Sequence, residues 1–166
     1  MKTRLACQLY SVHESIDRDA AHAVRAAASL GFGGLEFFGN ALWDAAFVKS
    51  ALRDTGLEIA GWHVAIDRLR DEEIERTLDF QSEIGNRSIV VPWLPPEMRD
   101  SADAWKKTAE LFNRIHERTS GRGMLLGYHN HDFEFRPLGK SGETGWDIFA
   151  RLTHPDIALQ LDNGNA

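Results

Sequence analysis

Residues 125–135, LLGYHNHDFEF, begin as an apolar strand and end in two histidines, an asparagine, an aspartate and a glutamate. Imidazoles and carboxylates are the side chains that bind divalent metals and move protons near neutral pH. Side chains two apart on a strand share a face, so His129 and His131 point the same way if the strand runs through them, and Asn130 the other way. A second polar strand end is LQLDNGNA, residues 159–166, where Gln160 and Asp162 share the face opposite Leu159 and Leu161. A carboxylate closing an apolar run is costly unless it is paired or binds a cation. Asp162 is therefore either a metal ligand beside the groups of the 129–134 segment, or the start of an Asx-type turn in DNGNA.

Other strand ends carry similar groups. Glu36, within GLEFFG, lies between apolar residues and needs a partner. His63 follows Trp62 at the end of EIAGWHV; taken alone it reads as a buried histidine bonded to the backbone. Tyr10 and Trp93 end their own strands, and Trp62 and Trp93 could form an apolar wall over a substrate. His13, His22, His116 and His154 fall in loops or on helices and read as solvent-facing. Glu72, Glu73 and Glu75 read as acidic bias at a helix N-terminus. GFGG precedes a strand rather than following one, GKS lacks the upstream glycine of a phosphate loop, and no G-x-S-x-G nucleophile or Cys-rich zinc pattern occurs.

The elements that must position these groups alternate regularly. Strands are expected at 4–12, 34–39, 58–64, 88–94, 125–131 and 157–162, with helical patterns between them. The clearest helical stripe joins Ala104, Thr108, Leu111 and Ile115, widened by Trp105, Ala109 and Phe112. Asp71, Ser101 and the pair Thr144–Asp147 are expected helix caps, and Gly31, Gly56, Gly85 and Gly121 expected helix ends. From Arg4 to Ile157 the repeat is about 31 residues, and eight such units make the roughly 250 residues of a (β/α)8 barrel. Polar groups at nearly every strand's C-terminal end favour that barrel over a doubly wound sheet, which would place glycines after its first strand. Residues 1–166 thus read as one partial TIM-barrel domain, with about six parallel strands and five connecting helices, lacking the last two strands.

The bulk numbers fit a globular enzyme. The chain is 43% hydrophobic and 27% charged, with a formal net charge of -6. That charge argues against nucleic acid as a partner. The single Cys7 excludes an internal disulfide, no stretch is long and apolar enough for a membrane span, and the cytoplasm is the default location.

QLYSV, GLEFFG, YHNHDFEF and LQLDNGNA, in that order along the whole chain, resemble the sugar phosphate isomerase/epimerase family of xylose-isomerase-like TIM barrels. The resemblance implies one divalent cation (manganese, magnesium or cobalt) and proton abstraction next to the carbonyl of a sugar or sugar phosphate. It assigns Glu134 as catalytic group and first metal ligand, Asp162 as second ligand, and His131 as a rival for the first position. His63, His129, Glu36, Tyr10 and Trp93 would face the substrate. The family's third and fourth ligands come from later strands, so the chain is expected to be weakly active at best, and its open sheet edges to invite self-association. Two other readings are a barrel endonuclease, disfavoured by the acidic charge and by Asn165 where a histidine is needed, and a non-enzymatic remnant that binds metal or sugar or is completed by a second chain.

Overall fold

The computed structural model describes residues 4–39 and 43–165; the first three residues of the N-terminal segment and Ala166 of the last motif lie outside them. Among the described residues the strands are β1 (Ala6–Gln8), β2 (Gly34–Phe38), β3 (Glu58–His63), β4 (Ser88–Val91), β5 (Leu125–His129) and β6 (Ala158–Gln160). The helices between them are α1 (His13–Ser29), α2 (Ala45–Thr55), α3 (Glu73–Glu83), α4 (Ala102–Gly121) and α5 (Gly145–Leu152). All strand pairs are parallel, in the order β1-β2-β3-β4-β5-β6. The sheet curls with the helices outside it, giving a half-barrel. The curl is tight enough for Gln160 of β6 to donate to Glu36 of β2 at 2.6 Å.

The outer layer is the core. Leu35, Phe37, Trp62, Ile89, Val91, Leu126 and Tyr128 alternate along their strands and are buried. Trp62 stacks on Phe37 with centroids 4.7 Å apart, and meets Trp43 and Phe80 edge-on. It therefore belongs to the sheet–helix layer and not to a wall over a substrate. On the other side Trp105, Phe112, Tyr128 and Phe149 form a cluster of edge contacts. Such pairs contribute about 0.5–1.5 kcal/mol beyond the area they bury.

Local signals explain most boundaries. Ser101 accepts from the Ala104 N–H, and Thr144 and Asp147 form a reciprocal capping box on α5. Asp44 caps α2 by accepting from the Phe47 N–H at 2.7 Å. Asp71 does not cap α3; it sits at φ 46°, and Glu72 precedes the helix without a side-chain cap. Gly121 is still helical, and the left-handed turn falls two residues later at Gly123. Four strands stop two or more residues earlier than their sequence suggests, β4 at Val91 and β6 at Gln160 among them. β1 gives way at Leu9 to a 3-10 turn that carries Tyr10, and β5 ends at His129, so His131 lies beyond the ladder. Where no helix covers the sheet, Leu159 and Leu161 of the β6 segment are exposed.

Gly145, the first residue of α5, lies against the Trp105 ring: a Cβ there would stand 2.2 Å from Nε1. Gly145→Ala should therefore overpack the α4–α5 contact and lower the unfolding free energy by about 1–3 kcal/mol. Urea unfolding checks this, and an unchanged midpoint would show that the helices can separate freely.

Candidate active site

The C-terminal ends of the strands surround a cavity of about 570 Å³, lined by Gln8, Tyr10, Phe38, His63, Trp93, His129, His131 and Asp162 among others. That is the size range of small-molecule sites. Its floor is a set of inward-facing polar side chains, one or two from each of five strands.

Glu36 is the charge at the centre. A register shift between Leu35 and Glu36 sets Glu36 opposite Gly61 instead of Ala60. A Cβ at Gly61 would approach Glu36 Oε1 to 3.2 Å, so the missing side chain makes room for the carboxylate. Gln8 donates to Oε2 at 3.0 Å and Gln160 to Oε1 at 2.6 Å, while His63 Nε2 stands 3.2 Å from Oε2. Burial pushes the Glu36 carboxyl up, but the bond and charge of His63 and the bonds from Gln160 and Gln8 outweigh it and hold it below its ordinary value. Glu36 is thus ionised at neutral pH.

An ionised Glu36 fixes every proton around it. It can only accept, so the Gln160 NH2 faces it and the Gln160 carbonyl faces the histidines. That carbonyl accepts from His129 Nδ1 at 2.8 Å and from His63 Nε2 at 3.0 Å. His129 therefore carries its proton on Nδ1. Burial lowers its pKa first of all, the Gln160 bond and the Asp162 charge raise it, and the His63 and His131 charges lower it; the net direction is down. A neutral His129 with Nδ1–H engaged leaves a lone pair on Nε2, 3.5 Å from Asp162 Oδ2 at the cavity wall.

The far wall is clamped by Asn130. Its Oδ1 accepts from the Asp162 N–H at 2.7 Å, and its NH2 donates to the Asp162 carbonyl at 3.0 Å. This ties the end of β5 to the end of β6, and both His131 and Asp162 line the cavity. Asp162 does open an Asx turn, with Oδ1 accepting from the Gly164 N–H at 2.8 Å. Its Oδ2 accepts from Asn165 at 3.0 Å and faces the cavity. His131 Nδ1 is buried and has no hydrogen-bond partner. Aromatic groups form the rim: Tyr10 stacks on His13 and meets Phe38 edge-on, and Trp93 is half exposed beneath the Arg99 guanidinium.

Glu134 is the one expected site residue that this arrangement does not include. It is fully buried on the helix side of β5, where it accepts from the Tyr128 hydroxyl in a short bond and from the His131 N–H at 2.8 Å. Burial and the Glu134 charge drive the Tyr128 hydroxyl's pKa far upward, so that hydroxyl stays a donor. The reason is local: the chain turns into a 3-10 turn at Phe133 just after β5, which rotates Glu134 away from the cavity. Gln8, Gln160 and Asn130 are site residues that the histidine-rich motif obscured. Their signal was polarity at inward or strand-end positions of apolar runs.

A donor set for a cation must come from the residues that do meet here. His131, whose Nδ1 is buried and without a partner among the described residues, and Asp162 both line the cavity and are donor types a divalent ion takes; Glu134 is committed to the Tyr128 hydroxyl and the His131 N–H instead.

The family model described as xylose isomerase-like TIM barrel matches residues 24–166. A sugar phosphate isomerase/epimerase from Parabacteroides distasonis is 27% identical, with a TM-score of 0.84 over 100% of this chain and 67% of its own. An AP endonuclease of family 2 from Brucella melitensis, 18% identical, superposes at 0.73 over 99% of this chain and 70% of its own. L-ribulose 3-epimerase, 17% identical, superposes at 0.61 over 97% and 61%. The last two likenesses establish the fold alone. This chain thus spans about two thirds of the length of these relatives. No curated protein matches. Among the described residues no helix is long and apolar enough to cross a membrane.

Glu36 gives the site a definite pH signature. A carboxyl held below its ordinary value of 4.5 in the fold contributes stability that is complete above that value. The contribution is lost as pH falls through the lower, folded pKa. Glu36→Gln should therefore be less stable than wild type at neutral pH and should lose less stability on acidification below 4.5. Denaturant unfolding across that range checks it; parallel acid limbs would show that Glu36 is not held as an ion.

Proposed function

This chain belongs to the xylose isomerase-like TIM barrel family, and we propose that it acts on a sugar or sugar phosphate as an isomerase or epimerase, moving a proton next to a carbonyl. The observation that carries the reading is the His129 lone pair. Gln160 holds Nδ1–H, so Nε2 faces the cavity as a neutral base. The chemistry needs a base with its pKa near or below the working pH, set where a C–H can reach it. His63, bonded to Glu36 and Gln160, lines the same cavity with its Nε2 proton committed. It serves to orient hydroxyls rather than to take the proton. Tyr10, Phe38 and Trp93 present ring faces and edges suited to the C–H face of a sugar.

Asp162 and His131 would hold a divalent cation (manganese, magnesium or cobalt). Bound there, such a cation would supply Lewis-acid polarisation to a carbonyl and its neighbouring hydroxyl. The acidic net charge and the aromatic rim favour this reading over a nuclease.

A second reading is binding without turnover, in a chain whose sheet is completed by another. It draws on exposed Leu159 and Leu161 beside β6 and on Leu5 beside β1. Deuterium uptake from solvent into a ketose substrate, at the carbon beside the carbonyl and with saturating manganese, separates the two. On the isomerase reading wild type exchanges, and His129→Gln slows exchange by about 10²–10⁴-fold with sugar binding retained. Asp162→Asn should raise the manganese concentration required. Sugar binding without any exchange would leave only the second reading.

A further inference from the structure

A second cluster of ligating groups lies at the opposite end of the sheet from the cavity. His116 is near the C-terminal end of α4, and His154 and Asp156 are in the connection from α5 to β6. Both segments lead into the N-terminal ends of their strands, the face of such barrels that serves stability rather than catalysis. One ligand atom from each of the three side chains lies within 4.8 Å of the others. Contrary to the solvent-facing reading, His116 is partly buried and stacks on His154, with centroids 4.5 Å apart and planes inclined by 24°.

Asn113, one turn earlier on α4, holds the two segments together. Its NH2 donates to the Leu152 carbonyl at 2.9 Å, and its Oδ1 accepts from the His154 N–H at 2.8 Å. The α5–β6 connection is thereby fixed over His116 without help from the histidines. One feature is then unexplained by packing. His116 Nδ1 is buried with no hydrogen-bond partner among the described residues, a state that is costly for a polar atom. His154 Nδ1 accepts from the Asp156 N–H at 3.2 Å, a bond that coordination through this nitrogen would replace. The Asp156 carboxylate stands 3.8 Å from the same nitrogen.

We propose that His116, His154 and Asp156 form a structural zinc-class site that staples α4 to the α5–β6 connection. Two imidazoles and one carboxylate, with water in the fourth position, suit a tetrahedral zinc ion. The nitrogen donors select against magnesium and calcium, which take oxygen. His154 and Asp156 are exposed, which gives the ion an entry path, while the orphaned His116 nitrogen supplies the inner ligand.

Calorimetric titration of the full chain with zinc tests this, beside thermal unfolding with zinc and with chelator. Zinc should bind and raise the melting temperature, and magnesium in excess should not compete. His154→Ala and Asp156→Asn should each weaken zinc by about tenfold or more and remove the thermal shift. His22→Ala, on an exposed helix face, should leave both intact. Because Asp162 in the cavity is itself a candidate ligand, the same titrations are repeated on the Asp162→Asn background, where the zinc site should persist. Zinc binding on that background that survives His154→Ala, or that is absent from it, would overturn the site.

Discussion

The site depends on one amide that cannot be turned around. Gln160 stands between an ionised carboxylate and two imidazoles, giving its NH2 to Glu36 and its carbonyl to His129 and His63. Reversing it would set a carbonyl against a carboxylate and an NH2 against the His129 Nδ1–H, which would lose its acceptor. Each such buried mismatch costs about 1–3 kcal/mol. The amide therefore converts the charge of Glu36 into a choice of tautomer at His129, some distance away on the other side of the half-barrel. A metal or a substrate arriving later meets a base whose lone pair has already been aimed.

The backbone makes this possible at two places. The register shift on β2 aims Glu36 inward against a glycine, and the tight curl brings β6 within reach of β2 across the sheet. Small residues deeper in the interior permit the curl: a Cβ at Gly127 would sit 3.2 Å from the Ala158 carbonyl. The polar layer is thus a consequence of the packing below it. It is satisfied group by group, which is what lets a buried network hold a single arrangement.

Much of this was legible in the chain. Strand–helix alternation, repeat length and polar strand ends led to the half-barrel, because parallel strands buried on one face leave a strong apolar signature. His63, His129, Asp162 and Glu36 lie at one end of the sheet, where the strand ends bring them, and His131 lines the same cavity from beyond the end of β5. Gln160 was visible as the inward neighbour of Asp162, but an amide carries no charge to mark it, and its importance arises only when β6 closes toward β2. Asp71 and Gly121 misled by a residue or two, since helix ends are settled by which backbone bond closes last. The stacked pair His116–His154 could not be read at all, because it depends on the α4–α5 contact and not on spacing along either segment.

Glu134 shows why a motif is weaker than a geometry. The family resemblance offers it as the first metal ligand, yet one 3-10 turn rotates it into the helix layer. Its charge there is tolerated because the Tyr128 hydroxyl and the His131 N–H both donate to it, and removing either donor would strand a buried carboxylate. The second of those bonds fixes the backbone of His131, which lines the cavity with Asp162. Glu134 thus acts on the cavity through the main chain. On this geometry, Glu134→Gln disturbs the placement of His131 rather than removing a ligand, and a charge lost from the core is felt first as a displaced imidazole.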